Sequence, residues 1–216
     1  MLQEETTAAR EALGLRHKYL LGADPTAPLV FLVHGRAGNF DVMWTFRRML
    51  PEHLNFIAPQ APLQDPIGGH SWWQVTDGRH SLTEAAQASS QLTDFIKRSP
   101  EHYGLAPRSC IALGFSQGAG LLSLTIQRAP QSLKAVALLA GFVLEEPQSL
   151  PTPPLASVLM LSGTNDEVIP IEKARQGAAY LKSKGFSVEL HEDPVGHKVG
   201  APGMRRLAEW AKLQLA

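Results

Sequence analysis

The apolar residues of this chain cluster in short runs that predict buried strands. The clearest run is residues 29–33, in which every residue is apolar. A strand that is apolar on both faces is typical of a parallel sheet covered by helices on each side. Further strands are predicted at residues 55–58, 110–113, 134–139, 157–161 and 187–190, and an edge strand at residues 15–21.

Helical patterns lie between these strands. We predict helices at residues 44–50, 82–98, 119–128, 171–184 and 204–215. Ser81 and Glu84 have the spacing of a capping box at the start of the second of these helices, and Pro100 is predicted to end it. Gly185 is the predicted C-cap of the fourth.

The alternation of strands and helices predicts an α/β fold, with a mostly parallel central sheet and helices on both faces. Because the chain has 216 residues, we expect a single compact domain over residues 1–216, with residues 1–14 as a polar N-terminal extension. A proline-rich connector is predicted at residues 145–154. In such folds, functional sites lie at the carboxyl ends of the strands.

Composition and charge narrow the class of protein. Apolar residues make up 44% of the chain and charged residues 19%, which is ordinary for a soluble globular protein. The formal net charge is zero, so no overall field favours nucleic acid or an anionic membrane. The single cysteine, Cys110, excludes an intrachain disulfide and a thiolate metal site, and we expect it to be a buried structural thiol. Since no signal peptide or membrane span is apparent, we expect a cytoplasmic protein without integral membrane association.

The pentapeptide Gly114-Phe115-Ser116-Gln117-Gly118 follows one predicted strand and precedes a predicted helix. A Gly-x-Ser-x-Gly sequence in this position is the pattern of a nucleophile elbow, a sharp turn that exposes a reactive serine above the sheet. The glycines relieve crowding on either side of that turn. Because matches to so short a pattern also arise by chance, the interpretation depends on the rest of the chain.

A serine nucleophile needs a base, and an acid that orients the base, in the order Ser, Asp or Glu, His for this kind of sheet. Ser116, Asp166 and His197 follow that order, and each comes just after a predicted strand. Glu167 is the alternative acid, and Asp166 is alternatively an Asx-turn or capping residue. His191 is the alternative base, but it lies at the end of a strand rather than on a loop.

An oxyanion hole requires two backbone N–H groups. We expect one from Gln117, which follows the nucleophile, and one from Arg36, on the loop after residues 29–33. The alternative is that His34-Gly35 only ends a strand. No metal site is predicted, because the spacing of His191 and His197 does not suit a helical zinc pair. The chain also lacks the phosphate-binding motifs Gly-x-x-x-x-Gly-Lys-Ser/Thr and Gly-x-Gly-x-x-Gly.

Residues 59–81 are the least regular part of the sequence and contain the pair Trp72-Trp73. A long irregular segment within a compact domain is often functional. We predict that Trp72 and Trp73 form a wall of the substrate cleft, with core packing as the alternative. Together with Phe115 they are the predicted substrate-binding residues.

These motifs resemble the phospholipase/carboxylesterase family of small serine carboxylesterases and acyl-protein thioesterases, which have the α/β-hydrolase fold. The resemblance extends over about residues 22–213 and is carried by these segments: His34-Gly35, Pro59-Gln60-Ala61-Pro62, Ser71-Trp72-Trp73, Gly114-Phe115-Ser116-Gln117-Gly118, Ser162-Gly163-Thr164-Asn165-Asp166 with Pro170, and Gly196-His197. It implies hydrolysis of a small-molecule carboxylic ester or thioester through an acyl-enzyme, with no cofactor, and it allows a homodimer.

Two segments depart from the family pattern. Arg36-Ala37-Gly38-Asn39 stands where a Leu-Gly-Asp-like sequence is usual, and Gln74 follows the tryptophan pair where an acidic residue is usual. The side chain of Arg36 either reaches an acidic substrate or is a solvated surface charge. The alternative activities on the same triad are lysophospholipase and acyl-peptide hydrolase. The alternative from another class is a binding protein that kept the hydrolase scaffold without turnover.

Overall fold

The computed structural model describes residues 2–76, 79–146 and 156–215. Within these residues the strands are β1 (Gln3–Glu4), β2 (His17–Leu20), β3 (Leu29–Val33), β4 (Asn55–Pro59), β5 (Leu63–Gln64), β6 (His70–Ser71), β7 (Val75–Thr76), β8 (Arg79–His80), β9 (Cys110–Phe115), β10 (Ala135–Leu139), β11 (Ser157–Gly163) and β12 (Ser187–Asp193). The helices are α1 (Thr7–Leu13), α2 (Trp44–Arg47), α3 (Leu82–His102), α4 (Gln117–Arg128), α5 (Ile171–Ser183) and α6 (Ala201–Leu215). Residues 147–154 of the predicted connector lie outside the described residues.

The central sheet has eight strands among the described residues, in the order β1-β2-β4-β3-β9-β10-β11-β12. From β4 onward in this order, neighbouring strands run parallel. At the other side of this sheet, β1 pairs with β2 and β2 pairs with β4 in antiparallel fashion. The predicted α/β fold with a mostly parallel sheet is therefore confirmed, and the carboxyl ends of its central strands lie along one edge.

The sheet separates two apolar layers, because alternate residues of each strand face opposite sides. In β3, Leu29, Phe31 and Val33 pack in the layer that α3, α4 and α5 cover. Val30 and Leu32 pack in the layer that α2 and α6 cover. Every residue of β3 is buried, so the prediction of a strand that is apolar on both faces is confirmed.

The N-terminal residues pack against the domain more closely than a polar extension would. Gln3 and Glu4 pair with β2 through their backbones although their side chains are exposed. Helix α1 buries Ala9 and Leu13. As a result β2 lies second in the sheet and is not its edge strand. The sequence did not show this pairing because backbone hydrogen bonds leave no mark on two exposed polar side chains.

Helix α3 begins as predicted but extends beyond its expected end. The Ser81 hydroxyl accepts a hydrogen bond from the Glu84 N–H at 3.2 Å, which confirms the N-cap. The Glu84 carboxylate instead accepts from the Gln74 N–H at 2.9 Å, so the second half of the capping box binds a neighbouring loop. Pro100 lies inside the helix, which continues to His102. Pro100 lacks an N–H group and its ring crowds the carbonyl group four residues earlier, and the helix ends only two residues after it.

Cys110 lies at the start of β9, at the opposite end of the strand from Ser116. Its side chain is half-buried, and burial raises the pKa of the thiol to about 11. The thiol therefore stays protonated at neutral pH, as expected for a structural cysteine.

Candidate active site

Ser116, Asp166 and His197 each follow a parallel strand of the sheet, namely β9, β11 and β12. These strands lie on the same half of the sheet, separated only by β10 between β9 and β11. The carboxyl ends of these strands therefore bring the three loops together at one edge of the sheet. This is the arrangement that the order Ser, Asp, His along the chain predicts.

The turn that carries Ser116 is strained and closely packed. Ser116 has φ 50° and ψ −112°, a conformation that residues other than glycine rarely adopt. A Cβ atom on Gly114 would lie 2.5 Å from the Gly118 carbonyl oxygen, and one on Gly118 would lie 2.4 Å from the Val33 carbonyl oxygen. Both flanking positions therefore require glycine. This local geometry is that of a nucleophile elbow.

The imidazole of His197 joins the serine to the carboxylate. Its Nε2 atom lies 3.0 Å from Ser116 Oγ, and its Nδ1 atom lies 2.7 Å from Asp166 Oδ2. The Asp166 side chain is almost fully buried, at 1% exposure. Its other oxygen, Oδ1, accepts from the N–H groups of Val168 and Ile169, each at 2.8 Å. The Asx-turn and the contact with histidine thus occur together, because the two carboxylate oxygens point in different directions.

The alternative acid and base lie elsewhere. Glu167 is exposed, and His191 lies within β12. His191 Nε2 is 3.0 Å from Asp193 Oδ1 rather than near Ser116. The structure therefore brings Asp166 and His197, and not these neighbours, to the serine.

The two predicted oxyanion donors lie beside the serine. Gln117 is the first residue of α4 and follows Ser116 directly. A Cβ atom built on Gly35 would lie 3.2 Å from Ser116 Cβ and 3.0 Å from the Phe115 carbonyl oxygen, so the loop that leads to Arg36 contacts the elbow. Arg36 and Ser116 line the same cavities.

Two cavities meet at Ser116, Arg36 and His197, which line both. The first, here called the Trp73 cavity, has a volume of about 410 Å³ and an otherwise mainly apolar lining: Ile67, Trp73, Val75, Phe142, Val168 and Ile169, with Gln117 and Lys173. The second, here called the Phe46 cavity, has a volume of about 390 Å³, with Gly35, Ala37, Gly38, Val42, Met43, Phe46 and Phe115 in its lining. Both volumes are in the range of small-molecule sites.

A family model described as Phospholipase/Carboxylesterase matches residues 20–215. The chain belongs to the phospholipase/carboxylesterase family. The putative hydrolase MhqD of Bacillus subtilis is 20% identical over 198 residues, which cover 92% of this chain and 98% of that relative. Acyl-protein thioesterase 1 of Kluyveromyces lactis is 27% identical over 175 residues, which cover 69% of this chain and 74% of that relative.

The solved structure of the Bacillus cereus carboxylesterase matches with a TM-score of 0.87 and 17% identity, over 96% of this chain and 98% of that chain. At this identity the likeness shows the shared fold. The family match confirms the resemblance seen in the sequence, and with it the predictions of an α/β-hydrolase fold and of a carboxylic ester hydrolase.

In this member of the phospholipase/carboxylesterase family, the predicted substrate-binding residues have different positions. Trp73 lines the Trp73 cavity, and Phe115 lines the Phe46 cavity. The centroid of the Phe115 ring lies 5.2 Å from that of the His197 ring. Both indoles are almost fully buried, with Trp72 2% and Trp73 1% exposed, but Trp72 lies outside both cavities. Its indole N–H donates to the His34 carbonyl oxygen at 2.8 Å. Core packing, the alternative that the sequence left open, therefore describes Trp72.

The side chain of Gln117 holds the tryptophan segment in place, a role that the sequence analysis missed. Its Oε1 atom accepts from the Trp72 N–H at 2.9 Å, and its Nε2 atom donates to the Trp73 carbonyl oxygen at 2.9 Å. Gln117 is buried, at 3% exposure. One residue thus joins the nucleophile elbow to a wall of the Trp73 cavity. The elbow motif identified Gln117 as the residue after the nucleophile, but no sequence pattern indicated that its side chain would bind the backbone of Trp72 and Trp73.

His34 also has a structural role that a strand-ending turn does not describe. Its Nε2 atom accepts from the Ala61 N–H at 3.0 Å, so Nδ1 carries the proton and donates to the Gly35 carbonyl oxygen at 2.7 Å. Burial lowers the pKa of His34 from 6.5 to about 4, so the ring is neutral at physiological pH. His34 therefore links the loop after β3 to the segment after β4.

Further features of the described residues bear on cofactors and membranes. In the described ranges, no group of three or more His, Cys, Asp or Glu side chains is arranged to hold a metal ion. None of the helices in those ranges combines the length and apolarity that a membrane span needs.

Proposed function

We propose that the chain is a serine hydrolase that cleaves carboxylic esters or thioesters through an acyl-enzyme, with Ser116 as the nucleophile. The observation that carries this proposal is the position of the His197 ring, 3.0 Å from Ser116 Oγ on one side and 2.7 Å from Asp166 Oδ2 on the other. An imidazole held in this way can take a proton from the serine and return it to a leaving group.

In the first half of the reaction, Ser116 Oγ attacks the carbonyl carbon while His197 Nε2 takes the hydroxyl proton. The carbonyl oxygen becomes an oxyanion, which accepts hydrogen bonds from the N–H groups of Gln117 and Arg36. The bond to the alcohol or thiol then breaks, and His197 donates its proton to that leaving group. The acyl group stays on Ser116 as an ester.

In the second half, His197 takes a proton from water as the water oxygen attacks the acyl carbon. The bond to Ser116 Oγ breaks, the serine regains its proton from His197, and the carboxylic acid leaves. Throughout, Asp166 accepts from the Nδ1–H group of His197, keeps the ring in the required tautomer and stabilises its charged form.

Apolar side chains at the entrance favour an acyl chain as the substrate group there. Ile67 is 76% exposed and Val168 is 62% exposed, and both line the Trp73 cavity. An apolar rim of this kind suits an ester of a fatty acid, including a lysophospholipid, better than the polar backbone of an acylated peptide. A cytoplasmic location and a homodimer stay predictions from the sequence and its resemblance.

The test compares wild type with Ser116→Ala in the hydrolysis of p-nitrophenyl esters from acetate to palmitate, together with an acyl-coenzyme A thioester. Loss of a triad member lowers kcat by about 10⁴ to 10⁶, so we expect no turnover above background in the variant. A fluorophosphonate probe is expected to label Ser116 in wild type. Ser90→Ala, at an exposed serine of α3, is the matched control and keeps full activity.

Labelling and turnover distinguish the alternatives. A binding protein on this scaffold would hydrolyse none of the esters and would not react with the probe at Ser116. Turnover that survives in Ser116→Ala would contradict the proposed nucleophile. An N-acylated peptide cleaved faster than every ester would instead favour an acyl-peptide hydrolase.

A further inference from the structure

We propose that Asp65 is a positioning residue for the oxyanion loop, residues 35–38, and that it sets the direction of the Arg36 N–H. Asp65 lies just after β5 in the irregular segment, and it belongs to none of the motifs that predict the catalytic residues. This inference rests on the proposed function, since it concerns the donor that would bind the oxyanion.

The Asp65 carboxylate holds two consecutive residues of the oxyanion loop. Its Oδ2 atom accepts from Arg36 Nε at 2.9 Å and from the Ser71 hydroxyl at 2.7 Å. The Ser71 oxygen in turn accepts from the Ala37 N–H at 3.1 Å. The carboxylate therefore contacts Arg36 directly through its side chain and Ala37 through one hydroxyl. The Arg36–Ala37 peptide unit is therefore held at both residues, and Arg36 is the residue that carries the proposed oxyanion donor.

The loop needs such anchors because its backbone is strained. Ala37 has φ 56°, in the left-handed region that residues other than glycine rarely occupy. Such conformations persist where the surroundings over-determine them, and they cluster at functional sites. One set of restraints is the pair of backbone bonds between Gly38 and His70, at 2.7 and 3.1 Å. A second restraint acts on the Gly35 carbonyl oxygen, which belongs to the same peptide unit as the Arg36 N–H and accepts from His34 Nδ1 at 2.7 Å. The Asp65 contacts are a further set, and they act on the Arg36 side chain and on Ala37.

The charge of Asp65 is maintained despite burial. Its side chain has 0% exposure, whereas that of Arg36 has 36%. Burial by itself would raise the pKa of Asp65, but hydrogen bonds from Ser71, Arg36 and the Ile67 N–H outweigh it and lower the pKa below the ordinary value. Among the described residues, Arg36 is the cation that forms an ion pair with Asp65. The Arg36 side chain is therefore a structural counter-ion rather than a free surface charge.

The structural alternative is that Asp65 only stabilises its own hairpin. Its Oδ1 atom accepts from the Ile67 N–H at 3.1 Å, and its backbone N–H donates to the Gly69 carbonyl oxygen at 3.0 Å. A purely structural Asp65 would affect the free energy of unfolding alone. A positioning Asp65 affects the affinity for the transition state as well, and this difference makes the two roles separable.

The experiment uses Asp65→Asn, which keeps the shape of the side chain and removes its charge. Removing an oxyanion donor altogether costs about 10² to 10³ in kcat, so a misdirected donor is expected to cost about 10- to 100-fold. We expect KM for p-nitrophenyl butyrate to change by less than about threefold. The inhibition constant of a trifluoromethyl ketone, which forms an oxyanion on addition to Ser116, is expected to rise by the same factor as kcat/KM falls. Asp94→Asn, at an exposed carboxylate of α3, is the matched control.

Two further variants keep the test decisive if Asp65→Asn folds poorly. Ser71→Ala removes the link to the Ala37 N–H, and Arg36→Met removes the guanidinium while keeping the backbone N–H. Both are expected to lower kcat and ketone affinity together. The inference is overturned if the folded variants lose stability but keep the wild-type kcat and ketone affinity. Failure of the proposed function would look different, because wild type itself would then lack turnover or would not depend on Ser116.

Discussion

The Nδ1 atom of His197 lies 2.7 Å from the Oδ2 atom of Asp166, while the second oxygen of the same carboxylate accepts two backbone N–H groups. The carboxylate therefore shapes its own loop and orients the imidazole at once. Because each function uses a separate oxygen, substitutions at this position can remove one of them and keep the other.

Asp166→Asn is expected to abolish most of the activity with little loss of stability. The amide oxygen can still accept from the N–H groups of Val168 and Ile169, but the amide NH₂ group then faces His197 and favours the wrong tautomer. We expect kcat to fall by about 10⁴. Asp166→Ala also loses the loop bonds and is expected to lower the free energy of unfolding by about 2 kcal/mol more.

Ester hydrolysis and urea denaturation measure the two effects separately. Glu167→Gln is the control, because Glu167 is the exposed neighbour of Asp166 and was the alternative acid. Normal turnover by Asp166→Asn together with inactive Glu167→Gln would assign the role of the acid to Glu167.

The loops of Asp166 and His197 meet at a glycine. A Cβ atom on Gly163 would lie 2.2 Å from the Val195 carbonyl oxygen and 2.5 Å from that of Gly196. Gly163→Ala is therefore expected to push the His197 loop away from Asp166. We expect kcat to fall at least tenfold, and the free energy of unfolding to fall by about 1 to 3 kcal/mol, as for other overpacked sites.

Gly196→Ala provides a matched comparison for this prediction. Its Cβ atom would meet only the Asn165 carbonyl oxygen, at an ordinary contact distance of 3.7 Å. Thermal unfolding and ester turnover of the two variants are compared. Equal effects of the two substitutions would show that loop flexibility, and not the close approach at Gly163, controls the site.

Much of the fold and the arrangement of Ser116, Asp166 and His197 followed from local sequence signals. Apolar runs identified the parallel strands, and parallel strands end at the same edge. Residues placed just after such strands must converge, whatever the details of the loops. The sequence could therefore indicate these three residues without any knowledge of distances.

The network around these residues could not be predicted in the same way. The contacts of Asp65 with Arg36, and of Gln117 with Trp72, join segments that are remote in the chain and have no periodic pattern. The pairing of Gln3–Glu4 with β2 was missed for a related reason, since it depends on backbone bonds. Interactions of this kind depend on tertiary geometry, which propensity and hydrophobic pattern do not encode.

The Gln117 side chain is expected to control the shape of the Trp73 cavity. Gln117→Ala keeps the backbone N–H but removes the acceptor of the buried Trp72 N–H and the side-chain donor to the Trp73 carbonyl oxygen. An unsatisfied buried polar group costs about 1 to 3 kcal/mol, so the free energy of unfolding is expected to fall by about that amount. Because Trp73 lines the cavity, KM is expected to rise most for the longer p-nitrophenyl esters.

Gln131→Ala, at an exposed glutamine, is the control for this substitution. Urea denaturation gives the loss of stability, and KM across the ester series gives the effect on the cavity. A variant that loses stability but has the same KM as wild type for every chain length would restrict Gln117 to a structural role.

The protein is expected to lose stability in mild acid because of His34. Burial lowers the pKa of this histidine to about 4 in the folded state, against an ordinary 6.5 for the unfolded chain. As the pH falls through 6.5, the unfolded chain therefore takes up a proton that the folded protein does not. Stability is lost between about pH 6.5 and pH 4, and the loss from this group reaches about 2 kcal/mol at pH 5.

His34→Gln isolates this contribution, because the amide does not titrate and its oxygen can accept from the Ala61 N–H. Urea denaturation at about pH 7.5 and pH 5 gives the change in unfolding free energy for each protein, and wild type is expected to lose about 2 kcal/mol more than the variant. His53→Gln, at an exposed histidine, is the control and is expected to behave as wild type. Equal losses in wild type and His34→Gln would contradict the prediction, since His34 would then take up its proton at the same pH in the folded and unfolded states. The acid sensitivity would in that case come from other groups, among which His17 also has a pKa lowered mainly by burial.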